Sequence, residues 1–134
     1  MIVSDRPLDA ARWMQARLGI EFRPPFTVLA SMNAQGEFES ALLFQCWTAN
    51  DIEISVVADR LPRSLLRASS RYAVQQLGCR RATFRTRSDN VAAIDAMARL
   101  GAMLEGRLRK FYPDDVDALI FGILKEDYPH GVRT

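Results

Sequence analysis

The first predicted element is a helix near the start of the chain. Apolar residues recur there every three or four positions, at Leu8, Ala11, Met14 and Leu18. This spacing predicts an amphipathic helix over Pro7–Leu18, with Asp5 as its cap and Gly19 as its end.

Three strands should follow this helix. Apolar and β-branched residues dominate Phe26–Met32, Phe38–Thr48 and Ile52–Ala58. The segments between them, Asn33–Gly36 and Ala49–Asp51, contain residues that favour turns. The pattern therefore predicts an antiparallel meander of three strands.

The second half of the chain alternates between helical and strand patterns. The predicted elements are a helix over 62–78, a strand over 81–87, a helix from 88 or 89 to 100, and strands over 103–111 and 116–124. The order α-βββ-α-β-α-ββ predicts an α/β fold, with a mixed sheet and helices packed on it. We expect one domain over residues 1–127 and a polar tail over 128–134.

Composition agrees with a single folded domain. The chain has 134 residues, of which 49% are hydrophobic and 25% charged, as in ordinary globular proteins. No apolar run is long enough to span a membrane, and no signal peptide pattern opens the chain, so a cytoplasmic protein is expected. Cys46 and Cys79 lie in apolar segments, which favours two buried free thiols over a disulfide.

Positive charge is concentrated in the middle of the chain. No acidic residue occurs between Asp59 and Asp89. That stretch contains Arg60, Arg63, Arg67, Arg71, Arg80, Arg81, Arg85 and Arg87. Such a block indicates either an anionic partner or a solvated face, and charge alone leaves nucleic acid, membrane and a phosphorylated cofactor open.

Four segments of the second half resemble one protein family. They read RTRSDNVAAI at 85–94, RLGA at 99–102, LEGRLR at 104–109 and DALIFGILKE at 117–126. Together they resemble the GNAT superfamily of acyl-CoA N-acyltransferases, most closely its branch that acetylates protein amino termini. Ala102 stands where that branch has Phe. Short arginine-rich domains of this kind also resemble degenerate GNAT-like proteins of phages and prophages.

The resemblance implies a GNAT-like fold with a shortened amino-terminal half. The implied activity is transfer of an acetyl group from acetyl-CoA to a primary amine of unknown identity. Two splayed strands, near 52–58 and 81–87, would expose backbone at Val56 and Val57 to the pantetheine arm of the cofactor. The pyrophosphate would bind where the next helix begins, at Arg60, Arg63 and Ser64.

The pyrophosphate loop departs from the family's pattern, which is Arg or Gln, two residues, Gly, one residue, then Gly or Ala. Starting from Arg60, the two small residues are replaced by Arg63 and Leu65. Glycine lets backbone approach a phosphate closely. Either the guanidinium groups of Arg60 and Arg63 replace the amide contacts, or the larger side chains block the pocket and the cofactor has been lost.

Two residues are candidates for proton transfer. Glu53 resembles the general base of the family's histone-acetylating branch, although strand alternation equally predicts a solvent-facing Glu between inward Ile52 and Ile54. The family often has a Tyr as general acid at the position of Met97, which is instead interpreted as core. Tyr112 is therefore the candidate acid, with a strand-end anchor as the alternative.

Other polar residues receive structural or mixed interpretations. Asn90 matches the family's helix-opening Asn, and we expect it both to cap the helix and to contact the cofactor. Glu105 and Arg107 are interpreted as an ion pair with each other. His130 is the only histidine and falls in the polar tail, so neither a metal site nor histidine catalysis is expected.

Two other functions remain open beside acetyl transfer. The altered loop and Met97 motivate a catalytically degenerate GNAT-like module that binds or interacts. A nucleic-acid binder ranks third, because the arginine block matches no nucleic-acid motif. A homodimer formed through edge strands is expected from the type of sheet, and no membrane partner is expected.

Overall fold

The computed structural model describes residues 1–129 of the chain. Its helices are α1 Pro7–Leu18, α2 Arg63–Ser70 and α3 Val91–Leu100, and a π-helical segment, Arg71–Gln76, continues α2. Its strands are β1 Ile2–Val3, β2 Thr27–Met32, β3 Phe38–Gln45, β4 Asp51–Ala58, β5 Arg81–Arg87, β6 Met103–Leu108 and β7 Ala118–Leu124. A short 3₁₀ turn, Lys125–Asp127, follows β7.

Within residues 1–129, seven strands form one mixed sheet in the order β1-β2-β3-β4-β5-β7-β6. β4 and β5 run parallel, and the other neighbouring pairs are antiparallel. A parallel pair needs a long crossover, which α2 and its π-helical continuation provide. The predicted α/β fold is confirmed, and the short strand β1 is an addition that the hydrophobic pattern did not predict.

Helices pack on both faces of the sheet. We call the side covered by α2 and α3 the α2/α3 face; its core includes Ile52, Ile54, Phe84 and Met97. The opposite side is the α1 face; its core includes Met14, Leu43, Val57 and Tyr112. The interpretation of Ile52, Ile54 and Met97 as core is confirmed. α1 packs against β2, β3 and β4, so it covers only one half of its face.

Two strands end earlier than the sequence predicts. β3 ends at Gln45 and β6 at Leu108. Just beyond these ends, Cys46 has a φ of 55° and Lys110 a φ of 52°. Such angles turn the chain away from the sheet. Cys46 is therefore exposed, and the expectation of a buried thiol is wrong there, whereas Cys79 is buried and both cysteines are free.

The C-terminal end of α1 agrees with the sequence prediction, but its N-terminal cap does not. Arg6, not Asp5, occupies the N-cap position, and no side chain accepts a hydrogen bond there, so the predicted Asp5 cap is wrong. Pro7 still starts the helix, where its missing N–H costs nothing. Gly19 ends it as predicted, with φ of 70°. No helix within residues 1–129 combines the length and apolar character needed to cross a bilayer.

Because Gly122 in β7 has no side chain, Glu105 can pack closely against it, and a substitution at Gly122 tests how much this contact contributes to stability. A Cβ added at Gly122 would overlap the carboxylate of Glu105, which Arg81 binds at 2.8 Å. We expect Gly122→Ala to displace Glu105 and lower the free energy of unfolding by up to about 1 kcal/mol. In a Glu105→Ala background the same change should be neutral or stabilising, because alanine restricts the unfolded chain. Equal destabilisation in both backgrounds, measured by urea unfolding, would contradict this account.

Candidate functional site

β4 and β5 separate partway along their length. Their parallel pairing runs from Asp51↔Arg81 to Ser55↔Arg85 and then stops. Beyond that point Val56–Ala58 remain paired with β3 on the outer side, and Thr86 and Arg87 remain paired with β7. Backbone groups that face inward along these ends are therefore available to another molecule. We call this opening the fork.

Polar side-chain atoms without partners flank the fork. Ser55 and Thr86 are 1% and 0% exposed, and no described residue forms a hydrogen bond with the hydroxyl of either. Nε of Arg85 is likewise buried without an acceptor among residues 1–129. Buried polar groups are normally satisfied, so each of these three atoms can still take a hydrogen bond from water or another molecule.

Glu53 lies on the α1 face, two residues before the fork. Its Oε1 forms an ion pair with a terminal guanidinium nitrogen of Arg85 at 2.7 Å, and both side chains are mostly buried, at 22% and 18% exposure. The guanidinium of Arg85 also stacks over the ring of Phe111, 4.6 Å from its centroid. Glu53 is therefore held in place by an ion pair beside the fork and is not an ordinary solvent-facing residue.

Tyr112 lies on the same face and is 2% exposed. It shares an apolar cluster with Val57 of β4, and the guanidinium of Arg87 lies 5.2 Å from its ring centroid. Burial raises the pKa of Tyr112 to about 12, although Arg85 and Arg87 act in the opposite direction. The hydroxyl is therefore protonated at neutral pH and can donate a proton.

Arg87 ties the end of β5 to two neighbouring loops. Its guanidinium donates to Asp89 at 2.9 Å and to Asp114 at 2.6 Å. The hydrogen bonds from Arg87 lower the pKa of both carboxyl groups below the ordinary value of 3.8. These pairs keep the end of β5 in place where it has lost its parallel partner.

Two adjoining depressions form a cleft that leads away from the fork. The first, about 440 Å³, contains Val57, Arg87 and Asn90 in its lining. The second, about 710 Å³, is lined by Arg60, Arg63 and Arg99 among others. Asp59 and Ala92 line both, so the depressions are neighbours. Both volumes are within the usual range of ligand sites.

The start of α2 faces the second depression with unbonded amides. Leu65 and Leu66 donate to the Pro62 carbonyl at 3.0 and 3.3 Å. The preceding amides, of Arg63 and Ser64, have no acceptor among residues 1–129, and no acidic residue lies in the first turn. Such a helix start attracts anions.

The two residues that stand where the GNAT pattern has small ones point in different directions. Leu65 is fully buried in the core of the α2/α3 face. Arg63 is exposed and lines the second depression with Arg60 and Arg99. Leu65 therefore does not fill the cleft, and the loop presents guanidinium groups to it.

Asn90 has a clear structural role. It is the N-cap of α3, and its Oδ1 accepts a hydrogen bond from the amide of Ala93 at 3.1 Å. The alternative caps, Ser88 and Asp89, are wrong, because Asp89 is engaged by Arg87. Asn90 also lines the first depression, so capping and ligand contact are compatible.

The structure changes the interpretation of two charged residues. Glu105 bonds to Arg81 at 2.8 Å and Arg107 to Asp117 at 2.7 Å, so the predicted pair between Glu105 and Arg107 is wrong. The register shifts between Leu104 and Gly106, which turns Glu105 inward over the sheet. His130 lies outside the described residues.

Sequence reasoning missed several residues around the cleft. Ser55, Arg85 and Thr86 flank the fork, and Arg99 lines the second depression. No pattern marks the Ser55 and Thr86 hydroxyls as unpartnered, because this depends on where strand pairing ends. Arg99 is separated by 36 positions from Arg63, and only the packing of α2 beside α3 brings both to one depression.

No family model matches the sequence, and no curated protein resembles it significantly. Solved structures are similar in fold. Ard1 from Thermoplasma volcanium has a TM-score of 0.67 at 16% identity, covering 92% of this chain and 96% of that one. A spermidine N-acetyltransferase SpeG chimera, from Vibrio cholerae and hSSAT, has a TM-score of 0.69 at 12% identity, with 96% and 97% covered. An acetyltransferase of the GNAT family from Streptococcus pneumoniae has a TM-score of 0.64 at 16% identity, with 92% and 98% covered. The chain therefore has the fold of GNAT acetyltransferases.

The ion pairs of Arg87 predict a pH dependence of stability. The folded protein binds protons at Asp89 and Asp114 less tightly than the unfolded chain does, because Arg87 lowers both pKa values. This contribution is present above about pH 4 and is lost as the pH falls through the lowered pKa values. We expect the melting temperature to fall less between about pH 5 and pH 3 in Arg87→Gln than in the wild type. Arg80→Gln, with the same charge change at the other end of β5, should follow the wild type; identical curves for all three proteins would refute the assignment.

Proposed function

We propose that this protein is an acetyl-CoA-dependent N-acetyltransferase acting on a primary amine. The observation that carries the proposal is the fork, where two parallel strands lose their pairing beside an open cleft. The fold shared with GNAT acetyltransferases supports it. A cytoplasmic location stays a prediction.

The residues present fit an extended cofactor that ends in phosphates. Inward backbone groups at Val56 and Val57 can hydrogen-bond the amides of a pantetheine arm, as an added strand would. The free amides of Arg63 and Ser64 lie at the start of α2, where a pyrophosphate is favoured. The guanidinium of Arg60 lines the same depression and adds charge-assisted contacts. Asn90 lines the depression next to the fork and is proposed to contact the cofactor there.

The proposed chemistry assigns two proton transfers. Acetyl-CoA supplies an acetyl group activated as a thioester when it is bound. An ammonium group has no free electron pair, so the acceptor must lose a proton first. We assign this proton to the carboxylate of Glu53, directly or through a water. The hydroxyl of Tyr112 is the proposed donor to the leaving group, because it is protonated at neutral pH and lies on the same face of the sheet as Glu53.

The acceptor is proposed only as a primary amine, with a protein amino terminus as the first class to test because of the sequence resemblance. The SpeG chimera is a spermidine N-acetyltransferase, so polyamines form the second class. A degenerate binding module is the rival function. Met97, fully buried where the family often has a Tyr, is the observation that favours it.

Cofactor binding tests the proposal directly. Acetyl-CoA at a hundredfold excess over its dissociation constant should stabilise the protein by about 2.7 kcal/mol. Arg63→Ala and Arg99→Ala should each raise the dissociation constant roughly tenfold, measured by calorimetry, because each removes a cation from the second depression. Arg80→Ala serves as the matched control and should bind normally. Absence of binding at about 1 mM acetyl-CoA would reject the proposed function.

Transfer chemistry is tested separately from binding. We expect Glu53→Gln and Tyr112→Phe to lower the rate constant for transfer at least about 100-fold, with acetyl-CoA affinity within about twofold of wild type. The measurement is release of free coenzyme A with short peptides bearing free amino termini, and then with polyamines. Wild-type rates in both variants would remove these residues from the catalytic assignment. Binding without transfer to any amine would favour the degenerate module.

A further inference from the structure

An acidic residue lies at the junction of the two depressions that form the cleft. Asp59 lines both of them and is the residue that follows β4. Its backbone amide donates to the carbonyl of Glu39 at 2.8 Å, so the chain is fixed at this point. A carboxylate in this position weakens the positive field that the cleft presents to an anion. Asp59 therefore opposes the binding of a phosphorylated ligand unless another group neutralises its charge.

Arg17 in the last turn of α1 supplies that neutralising group. A terminal nitrogen of its guanidinium forms an ion pair with Oδ1 of Asp59, although 42 positions of the chain separate the two residues. The same guanidinium stacks over the ring of Trp13, 4.5 Å from its centroid. Trp13 in turn packs against Phe38, with 5.8 Å between the ring centroids. These contacts hold the charge of Arg17 at the wall of the first depression, which Arg17 also lines.

The charges around the cleft are divided unequally between its two depressions. In the first, the charged residues of the described lining form ion pairs, Arg17 with Asp59 and Arg87 with Asp89. The second is lined by three arginines and, besides Asp59, by the carboxylate of Asp95. With Asp59 neutralised by Arg17, the three arginines keep a surplus of two positive charges over Asp95, whereas an unpaired Asp59 would reduce the surplus to one. The ion pair therefore sets how strongly the second depression attracts an anion.

We propose that Arg17 is a positioning residue for the phosphorylated ligand, and that it acts by neutralising Asp59. Arg17 lines the first depression, where the uncharged pantetheine arm is proposed to pass, whereas the pyrophosphate is proposed to bind in the second. Its contribution to anion binding is therefore made through Asp59 and not by contact with the phosphates. This inference rests on the proposed function for the identity of the ligand, but the charge argument applies to any anion that enters the second depression.

The ion pair is better suited to this role than to stabilising the fold. The side chains of Arg17 and Asp59 are 40% and 57% exposed, and exposed ion pairs contribute little to stability. α1 is held on the sheet by its buried apolar residues, Ala10, Ala11, Met14 and Leu18. Removal of the Arg17 charge should therefore leave the fold intact and show its effect in anion binding.

The test is a double-mutant cycle, measured by calorimetry with acetyl-CoA and, separately, with inorganic pyrophosphate in buffer free of divalent cations. Arg17→Gln should raise the dissociation constant at least about fivefold, because it leaves the Asp59 carboxylate unneutralised. Asp59→Asn should bind at least as tightly as the wild type, and Arg17→Gln added to it should change the constant less than about twofold. Arg17→Lys keeps the charge and should bind within about twofold of the wild type. Arg12→Gln is the matched control, since Arg12 is exposed on the same helix and faces Asp9 at 3.9 Å.

The outcomes separate this inference from the proposed function. Wild-type affinity in Arg17→Gln, or the same loss with and without Asp59→Asn, overturns the inference and leaves acetyl-CoA binding standing. Weaker binding by Asp59→Asn alone also overturns it, even if circular dichroism shows that Arg17→Gln does not fold. If the cycle behaves as expected with pyrophosphate but acetyl-CoA does not bind, only the proposed function is rejected. Binding of neither ligand by the wild type overturns both.

Discussion

The parallel pairing of β4 and β5 stops at Ser55 and Arg85, and the candidate site depends on that interruption. Each strand keeps an antiparallel partner along its outer side. The fork therefore lacks only the hydrogen bonds that β4 and β5 would have formed with each other. Arg87 holds the free end of β5 through Asp89 and Asp114. The result is a stable gap lined by unpaired backbone, which the interior of a closed sheet cannot offer.

Arginine takes the place of glycine in the loop that follows β4. Arg63 and Leu65 are two positions apart, so the helix directs them to different sides. Leu65 joins the core, and Arg63 stays in the cleft with Arg60 and Arg99. The loop gives up the close backbone approach that glycine permits and gains positive charge. In the proposed function, recognition of an anion would therefore rest partly on side chains and not on amides alone.

The candidate cleft and the exposed residues of β6 occupy different parts of one sheet. α1 covers only the half formed by β2, β3 and β4, while β6 carries exposed apolar residues on the other half. The same register shift that turns Glu105 inward removes a charge from the rim of that strand. Local backbone geometry thus decides how the edge is presented, independently of the fork.

The sequence by itself determined the order of the main helices and strands, the mixed sheet, and the burial of Ile54 and Met97. These follow from hydrophobic periodicity, which is a local property of the chain. The resemblance to the GNAT superfamily implied where the fork and the arginine loop would lie. Only the tertiary structure decided that Glu53 pairs with Arg85, and that Ser55 and Thr86 have no partner. Such contacts depend on the register between strands that are distant in the chain, and a local pattern carries no information about that register.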